Sequence, residues 1–302
     1  DCSRCNPADA CFCHDCGGPL PQKLSPRPVS APQVVIPGNV PLAEHPEPKV
    51  REMADLYQEL WPPSRIAEMP PAASRYLRMR PWLTDELAQH FPMGYLPRDS
   101  KCSLRDRIVY CFHNEKGQAI TYFARDPAYE TKLAENRSSS KKNPPMKHRF
   151  YTGFERGLEL YGKHLFAGDR EQIRGRLEGL GLPLVGGPND VMRLFSLGLP
   201  YSLALCSPDY RITREQAERV AKLAHDVAGG IVWVLLPCTP KGEEGMKHCL
   251  GYLSQLIAVR LGWTSRMFQG RYRDKQIESL EQESLMEMQT FAADGKKSWS
   301  LT

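Results

Sequence analysis

In GLPLVGGPNDVMRL (residues 181–194) an apolar run, Leu182–Val185, ends in a tight Gly186-Gly187 turn and passes directly into a helical stretch at Asp190–Leu197. A strand, a glycine turn and a helix commonly present a reactive side chain at the strand tip. Here the tip carries no side chain at all. Working outward, the same alternation continues. Tyr201–Cys206 reads as a strand, and Thr213–Val227 as a helix opened by a Thr-x-x-Gln capping box. Ile231–Leu236 reads as a very apolar strand and Glu243–Leu261 as another helix. Strands alternating with helices predict a mostly parallel sheet covered on both faces.

Upstream, RIVYCFHNEKGQAITYFAR (residues 107–125) predicts two strands around a turn at Asn114–Gly117. VREMADLYQELW (50–61) reads as a helix stopped by Pro62-Pro63. SRYLRMR (74–80) is a short helix, and LTDELAQHF (83–91) is a third with Thr84 as its N-cap. Residues 126–150 are polar and basic, with RSSSKKNPP (137–145) expected as a mobile loop. The tail over 273–292 reads as a charged, weakly amphipathic helix. The expected organisation is a Cys-rich module at 1–20, a Pro-rich extended linker at 21–48, an α+β subdomain at 49–160, the parallel-sheet domain at 161–262 and a helical tail at 263–302.

The 302 residues are 41% hydrophobic with a net charge of +5, which allows a large core and says little by itself about partners. No apolar run approaches the roughly 20 residues of a membrane helix, and no signal peptide is evident. A cytoplasmic protein without a membrane partner is expected; the first residue is Asp rather than Met. Of ten cysteines, five stand in the first sixteen residues. Cys2/Cys5 and Cys13/Cys16 form two C-x-x-C knuckles, the second followed by Gly-Gly, in the spacing of a small zinc ribbon. Four thiolates satisfy tetrahedral Zn²⁺ and leave no open position, so a structural zinc is expected. Cys11 and His14 are further possible ligands; an exposed redox-sensitive cluster is the alternative.

From about residue 70 to 260 the chain resembles the polymerase core of bacterial-type DNA primases. ASRYLRMRPWLTDELAQHFPMGYLP (73–97) looks like the segment in which a helix precedes F-x-x-G-Y-x-P. RDRIVYCFHNEKGQAITYFAR (105–125) is similar to R-x-x-F-P-I-x-D-x-x-G-x-x-x-G-F-x-x-R, with Gly117 and Arg125 in place. The stretch ending in Leu160-Tyr161-Gly162 resembles P-K-Y-x-N-S-x-E-x-x-x-F-x-K-x-x-x-L-Y-G. The resemblance implies an α/β fold: an α+β N-terminal subdomain, then a Toprim-like Rossmannoid parallel sheet, preceded here by the zinc ribbon. That ribbon differs from the usual Cys-His-Cys-Cys primase zinc domain, and too few residues follow 290 for the family's helicase-binding domain.

Toprim chemistry holds divalent metal against nucleotide phosphates through hard carboxylate ligands. The resemblance implies a glutamate at the first strand tip in E-G-x-x-D, where this chain reads GGPND: Gly186 replaces the glutamate and Asp190 keeps the last acid. The later D-x-D-x-x-G reads PCTPKG, with Pro237 and Thr239 in place of the aspartates. No two-metal site can be built from Asp190 alone, so no Mg²⁺ cofactor is expected. Asp190 is also readable as a helix cap. Asp209, Glu243 and Glu244 would have to swing back about 6 Å, on the scale of a helical turn, to compensate; the simpler reading makes Glu243 and Glu244 first-turn helix acids.

The resemblance also implies that the basic region lines a groove for single-stranded template. Arg125, Lys132, Lys147 and Arg149 fall at family positions and are the candidate nucleic-acid contacts, with Arg105 and Arg107 as weaker ones. Phe150, Tyr151 and Phe154 are candidate stacking faces. Three functions follow as expectations. The first is a catalytically degenerate, primase-like protein that binds single-stranded DNA or RNA as an accessory subunit of a replication, repair or defence complex, with a protein partner. The second is an active divergent primase making RNA primers on single-stranded DNA. The third is a purely structural subunit of a larger assembly.

Overall fold

The computed structural model describes residues 56–139, 144–151 and 157–293. The chain divides into a unit Asp1–Val40 and a unit Pro41–Thr302, and every described residue lies in the second. The ribbon cysteines, the linker, Lys141, Lys142 and Phe154 therefore lie outside the described residues.

The first half is an antiparallel meander. β1 (Met93–Leu96), β2 (Arg107–His113), β3 (Ala119–Arg125) and β4 (His148–Phe150) lie in the order β1-β2-β3-β4. The predicted hairpin is β2–β3, turned by Asn114 and by Gly117 at φ 77°. Residues 56–59 are helical, followed by α1 (Pro71–Arg78) and α2 (Asp85–His90), whose N-cap Thr84 accepts from the Leu87 N–H as predicted. The polar stretch 126–150 holds a helix, α3 (Tyr129–Ser139), and the edge strand β4; of the segment 137–145 expected as a loop, 137–139 close α3, 140–143 lie outside the described residues and 144–145 belong to neither element. Its polar composition hid both, because α3 has almost no apolar stripe to betray its period.

The second half is a parallel sheet in the order β6-β5-β7-β8, from β5 (Leu182–Val185), β6 (Leu203–Ala204), β7 (Ile231–Leu235) and β8 (Ala258–Leu261). The helices are α4 (Arg170–Leu177), α5 (Pro188–Ser196), α6 (Arg214–Val227) and α7 (Pro240–Leu253). The capping box of α6 forms as read, Thr213 with Gln216. α5 and α7 each start earlier than expected, at Pro188 and Pro240, and two larger differences stand beside these. β6 is only two residues long, and α7 stops at Leu253 so that Ala258–Leu261 forms β8 alongside β7. β8 is a partly exposed edge strand with no Gly or Pro separating it from α7, so its apolar residues read as more helix.

Period-two alternation divides the sheet's faces. Leu182, Leu184, Val232 and Val234 pack with α4, α6 and α7. Val185, Trp233 and Leu235 pack on the other side in a core that includes α5, the meander residues Ile108, Tyr110, Phe112 and Phe123, and the tail. The tail is not one helix. A 3-10 turn (Ile277–Ser279) precedes α8 (Gln282–Ala293), and Ile277, Leu280, Leu285 and Met288 are buried in that shared core. The break before α8 throws these four side chains onto one side, which a single helical period does not show. Among the described residues no helix is long and apolar enough to cross a membrane.

Candidate nucleic-acid interface and strand-tip site

The β5 tip is packed shut. A Cβ on Gly186 would stand 2.7 Å from the Tyr210 ring and 3.2 Å from Asp190 Oδ2. Tyr210 reaches this spot because its backbone is left-handed (φ 56°) and because Gly245 of α7 leaves room for its Cβ. Asp190 faces inward: its Oδ2 accepts from the Gly187 N–H at 3.0 Å and closes the first turn of α5. Burial, and then the charge of Glu278, push its carboxyl up to about 7 against the pull of the Gly187 and Gly186 N–H groups and of Arg80.

At the β7 tip the Pro237 carbonyl accepts from Thr239 N–H, and the Thr239 hydroxyl caps α7 by accepting from Gly242 N–H at 3.1 Å. The tail crosses here, with Cys238 N–H donating to Lys275 O at 2.9 Å and Asp274 N–H to Cys238 O at 2.7 Å. The neighbouring acids are engaged elsewhere. Glu243 accepts from Ser265 N–H, Glu244 lies 3.9 Å from Arg211, and Asp209 pairs with Lys241 at 2.9 Å. Among the described residues no group of three or more His, Cys, Asp or Glu is placed to hold a metal ion. A Toprim-type metal pair does not fit these strand tips, because Tyr210 fills the space where the first carboxylate would project and Asp190 is turned into its own helix.

An acid introduced at Gly186 therefore meets the Tyr210 ring. Gly186→Glu is expected to lower stability by about 3 kcal/mol, from overpacking together with burial of a carboxylate. Gly186→Glu/Tyr210→Ala is expected to recover much of that loss in urea melts, because the second change opens the space the first one needs.

Beside the tips lies a polar network that sequence reading missed. The Asn189 amide donates to the Tyr76 hydroxyl at 2.7 Å and to Glu278 at 2.8 Å, and Asn189 Oδ1 accepts from the Tyr110 hydroxyl at 2.9 Å. Tyr76 and Tyr110 hydroxyls lie 2.8 Å apart. Since Tyr110 gives its proton to Asn189, Tyr76 must donate to Tyr110, and the three side chains close a ring of hydrogen bonds. Arg80 grips Glu278 with two nitrogens, at 2.7 and 3.1 Å, and stacks 3.8 Å over Tyr76. α1, β2, α5 and the tail meet at this point. The i, i+4 spacing of Tyr76 and Arg80 in SRYLRMR was visible, but nothing in the sequence joined it to Glu278.

The four predicted contacts do not form one line. Cross-strand partners share a face and neighbours alternate. β4 sets His148 opposite Arg125 and Arg149 opposite Ala124, so Arg125 and Arg149 emerge on opposite faces. Arg125 lies 5.2 Å over Tyr76, beside the network. Lys147 is near it, 3.8 Å from Glu130, its ammonium held below the usual lysine range chiefly by burial and then by Arg125. Lys132 is tied to buried Asp126 at 2.6 Å. On the far face Arg149 donates to Ser103 O at 3.1 Å and lines a basin of about 440 Å³ with Arg98, Arg105 and Arg107. The weaker candidates Arg105 and Arg107 thus sit with Arg149, and Arg98 joins them unanticipated. Phe150 packs on Phe123 at 4.8 Å and Tyr151 against the cluster of Val109, Cys111, Tyr122 and Ala124, so the two described stacking candidates are half-buried in packing contacts.

No protein-family model matches this chain, and no curated protein matches its sequence. Solved structures do match. The Aquifex aeolicus primase, zinc-binding and RNA polymerase domains, aligns at TM-score 0.55 and 18% identity over 80% of this chain and 59% of that one. A DNA primase domain from Pseudomonas aeruginosa aligns at TM-score 0.55 and 17% identity, over 80% and 78%. The chain has the fold of a bacterial primase catalytic core. A DnaG primase catalytic domain bound to ssDNA has it too, at TM-score 0.51 and 16% identity over 80% of both chains. The primase fold puts the packed Gly186 turn, the tyrosine–asparagine ring and the two basic faces of the meander on one scaffold; at these identities the likeness speaks for the scaffold alone.

Proposed function

We propose that this chain is a cytoplasmic, primase-like nucleic-acid-binding protein whose strand tips have lost phosphoryl-transfer chemistry, and that it serves as an accessory subunit of a replication, repair or defence complex. One observation carries the reading: the ring of Tyr210 and the inward Asp190 occupy the strand tip where Toprim carboxylates would reach for metal. The basic basin around Arg149 and the cleft around Arg125 and Lys147 are the proposed contacts with single-stranded DNA or RNA. The fold is shared with a primase domain bound to ssDNA, which favours a single strand as ligand. Cys2, Cys5, Cys13 and Cys16 would hold a structural zinc ion, whose place is in docking to nucleic acid or protein. Lys132 carries less of this proposal than it did from sequence, because Asp126 already neutralises it.

Template-directed ribonucleotide incorporation on single-stranded DNA, with Mg²⁺ or Mn²⁺, tests the loss of chemistry, and fluorescence anisotropy with and without EDTA tests binding. The expected result is no product and salt-sensitive binding indifferent to EDTA. Lys147→Ala and Arg149→Ala are each expected to weaken binding several-fold, alike across sequences, and to reduce the salt slope by about 0.7 per lost phosphate contact. Product that disappears in Asp190→Ala would establish a divergent primase instead.

A further inference from the structure

Glu278 is held as a bound oxyanion would be. Its two oxygens take Arg80 Nη2 at 2.7 Å, Arg80 Nε at 3.1 Å and Asn189 Nδ2 at 2.8 Å. Two parallel N–H bonds from a guanidinium suit a phosphate as well as they suit a carboxylate. Arg80 does not depend on Glu278 for its position: Nη1 donates to Tyr76 O at 2.9 Å, and the guanidinium lies on the Tyr76 ring. The Asn189 amide is fixed by the two tyrosines. The donors are therefore preorganised. Arg125 faces the same ring with its Nε buried and without a hydrogen-bond partner among the described residues, and Lys147 feels the charges of Arg125, Glu130, Glu278 and Lys241. Ile277 and Leu280 anchor the backbone on either side of Glu278, while the Glu278 side chain stays 23% exposed. The clearing of these donors therefore asks for a rotation of one partly exposed side chain between two buried anchors.

We propose that the Glu278 carboxylate is an internal stand-in for a phosphate group, seated in an oxyanion cradle of Arg80 and Asn189 for which a phosphate of single-stranded nucleic acid competes. The proposal rests on the nucleic-acid-binding reading above and adds to it a site and a restraint on affinity. Bound nucleic acid displaces the carboxylate into solvent, and the cost of that displacement keeps the resting protein's affinity low.

The experiment is an anisotropy titration of the full chain with fluorescein-labelled single-stranded DNA, comparing wild type, Glu278→Gln and Glu278→Gln/Arg80→Met. Glu278→Gln is expected to bind about fivefold more tightly near 0.1 M salt and to steepen the salt slope by about 0.7, one further phosphate contact on a single strand. Arg80→Met is expected to cancel both gains. In the wild type itself, where no variant need fold, the Arg80 Nε–H resonance is expected to move when DNA is added as its partner changes. Wild-type binding that Lys147→Ala weakens, with Glu278→Gln unchanged in affinity and slope or the Arg80 resonance unmoved, overturns the cradle and leaves the nucleic-acid reading standing. Absence of binding by wild type and Glu278→Gln alike overturns both.

Discussion

Acidification from pH 6.5 to 4 is expected to cost the folded protein on the order of 6 kcal/mol, enough to unfold a typical domain. The cause is a set of histidines, His113 buried and His164 and His148 half-buried, whose surroundings disfavour the charged ring. His164 lies 4.6 Å from His113 and 6.5 Å from His90 between rings, both His164 nitrogens are buried, and neither has a hydrogen-bond partner among the described residues. Burial, and then His113 and His90, push His164 down to about 3, while burial alone takes His113 to about 4. His148 falls to about 3 through burial, Arg125 and Lys147. In the unfolded chain each titrates near 6.5. A histidine depressed on folding contributes nothing adverse above 6.5, and below it the unfolded state takes a proton that the native state refuses, so stability falls with pH. Asp190 opposes this, because in the same window the native state holds a proton there that the unfolded chain has lost. Three protons against one leave a net two, or about 2.7 kcal/mol per pH unit. Urea denaturation at half-unit steps of pH measures the slope. A flat profile between pH 6.5 and 4 would sink the account, and His164→Phe is expected to remove about one proton from it.

Asp190→Asn is expected to stabilise the protein by about 4 kcal/mol at pH 8 and by nothing near pH 4. The sign follows from the direction of the shift. An acid raised to about 7 from 3.8 costs the native state progressively between pH 3.8 and 7, where the fold holds a proton the unfolded chain has lost, and the full cost stands above 7. Asparagine keeps an oxygen to accept the Gly187 N–H and carries no charge beside Glu278. Loss of stability at pH 8 would show that the carboxylate anion is needed at the cap and that its burial is less severe than its 8% exposure indicates. The substitution also bears on function: if Asp190 holds no metal, Asp190→Asn leaves nucleic-acid binding as EDTA-indifferent as before.

The parallel half of the fold was legible because its strands are unbroken apolar runs and its helices carry explicit start signals. Leu182–Val185, Ile231–Leu235 and the Thr213 cap needed only local rules. What failed did so where local patterns carry little information. α3 and β4 are polar, β8 follows α7 without a breaker, and the tail's buried residues are split by a turn. The same division holds for the site. That Gly186, Pro237 and Thr239 bring no carboxylate is written in the chain. That Tyr210 fills the space beside Gly186, that Asp190 folds onto its own helix and that Glu278 meets Arg80 and Asn189 across 198 and 89 positions are decisions of tertiary packing. So too is the separation of Arg125 from Arg149, since charge counts along a sequence do not know which side of a strand each residue faces. Backbone periodicity and capping act over a few residues and leave their mark in the sequence. Burial, shared cores and the pairing of charges 198 positions apart, as Arg80 and Glu278 are, exist only once the chain has closed on itself.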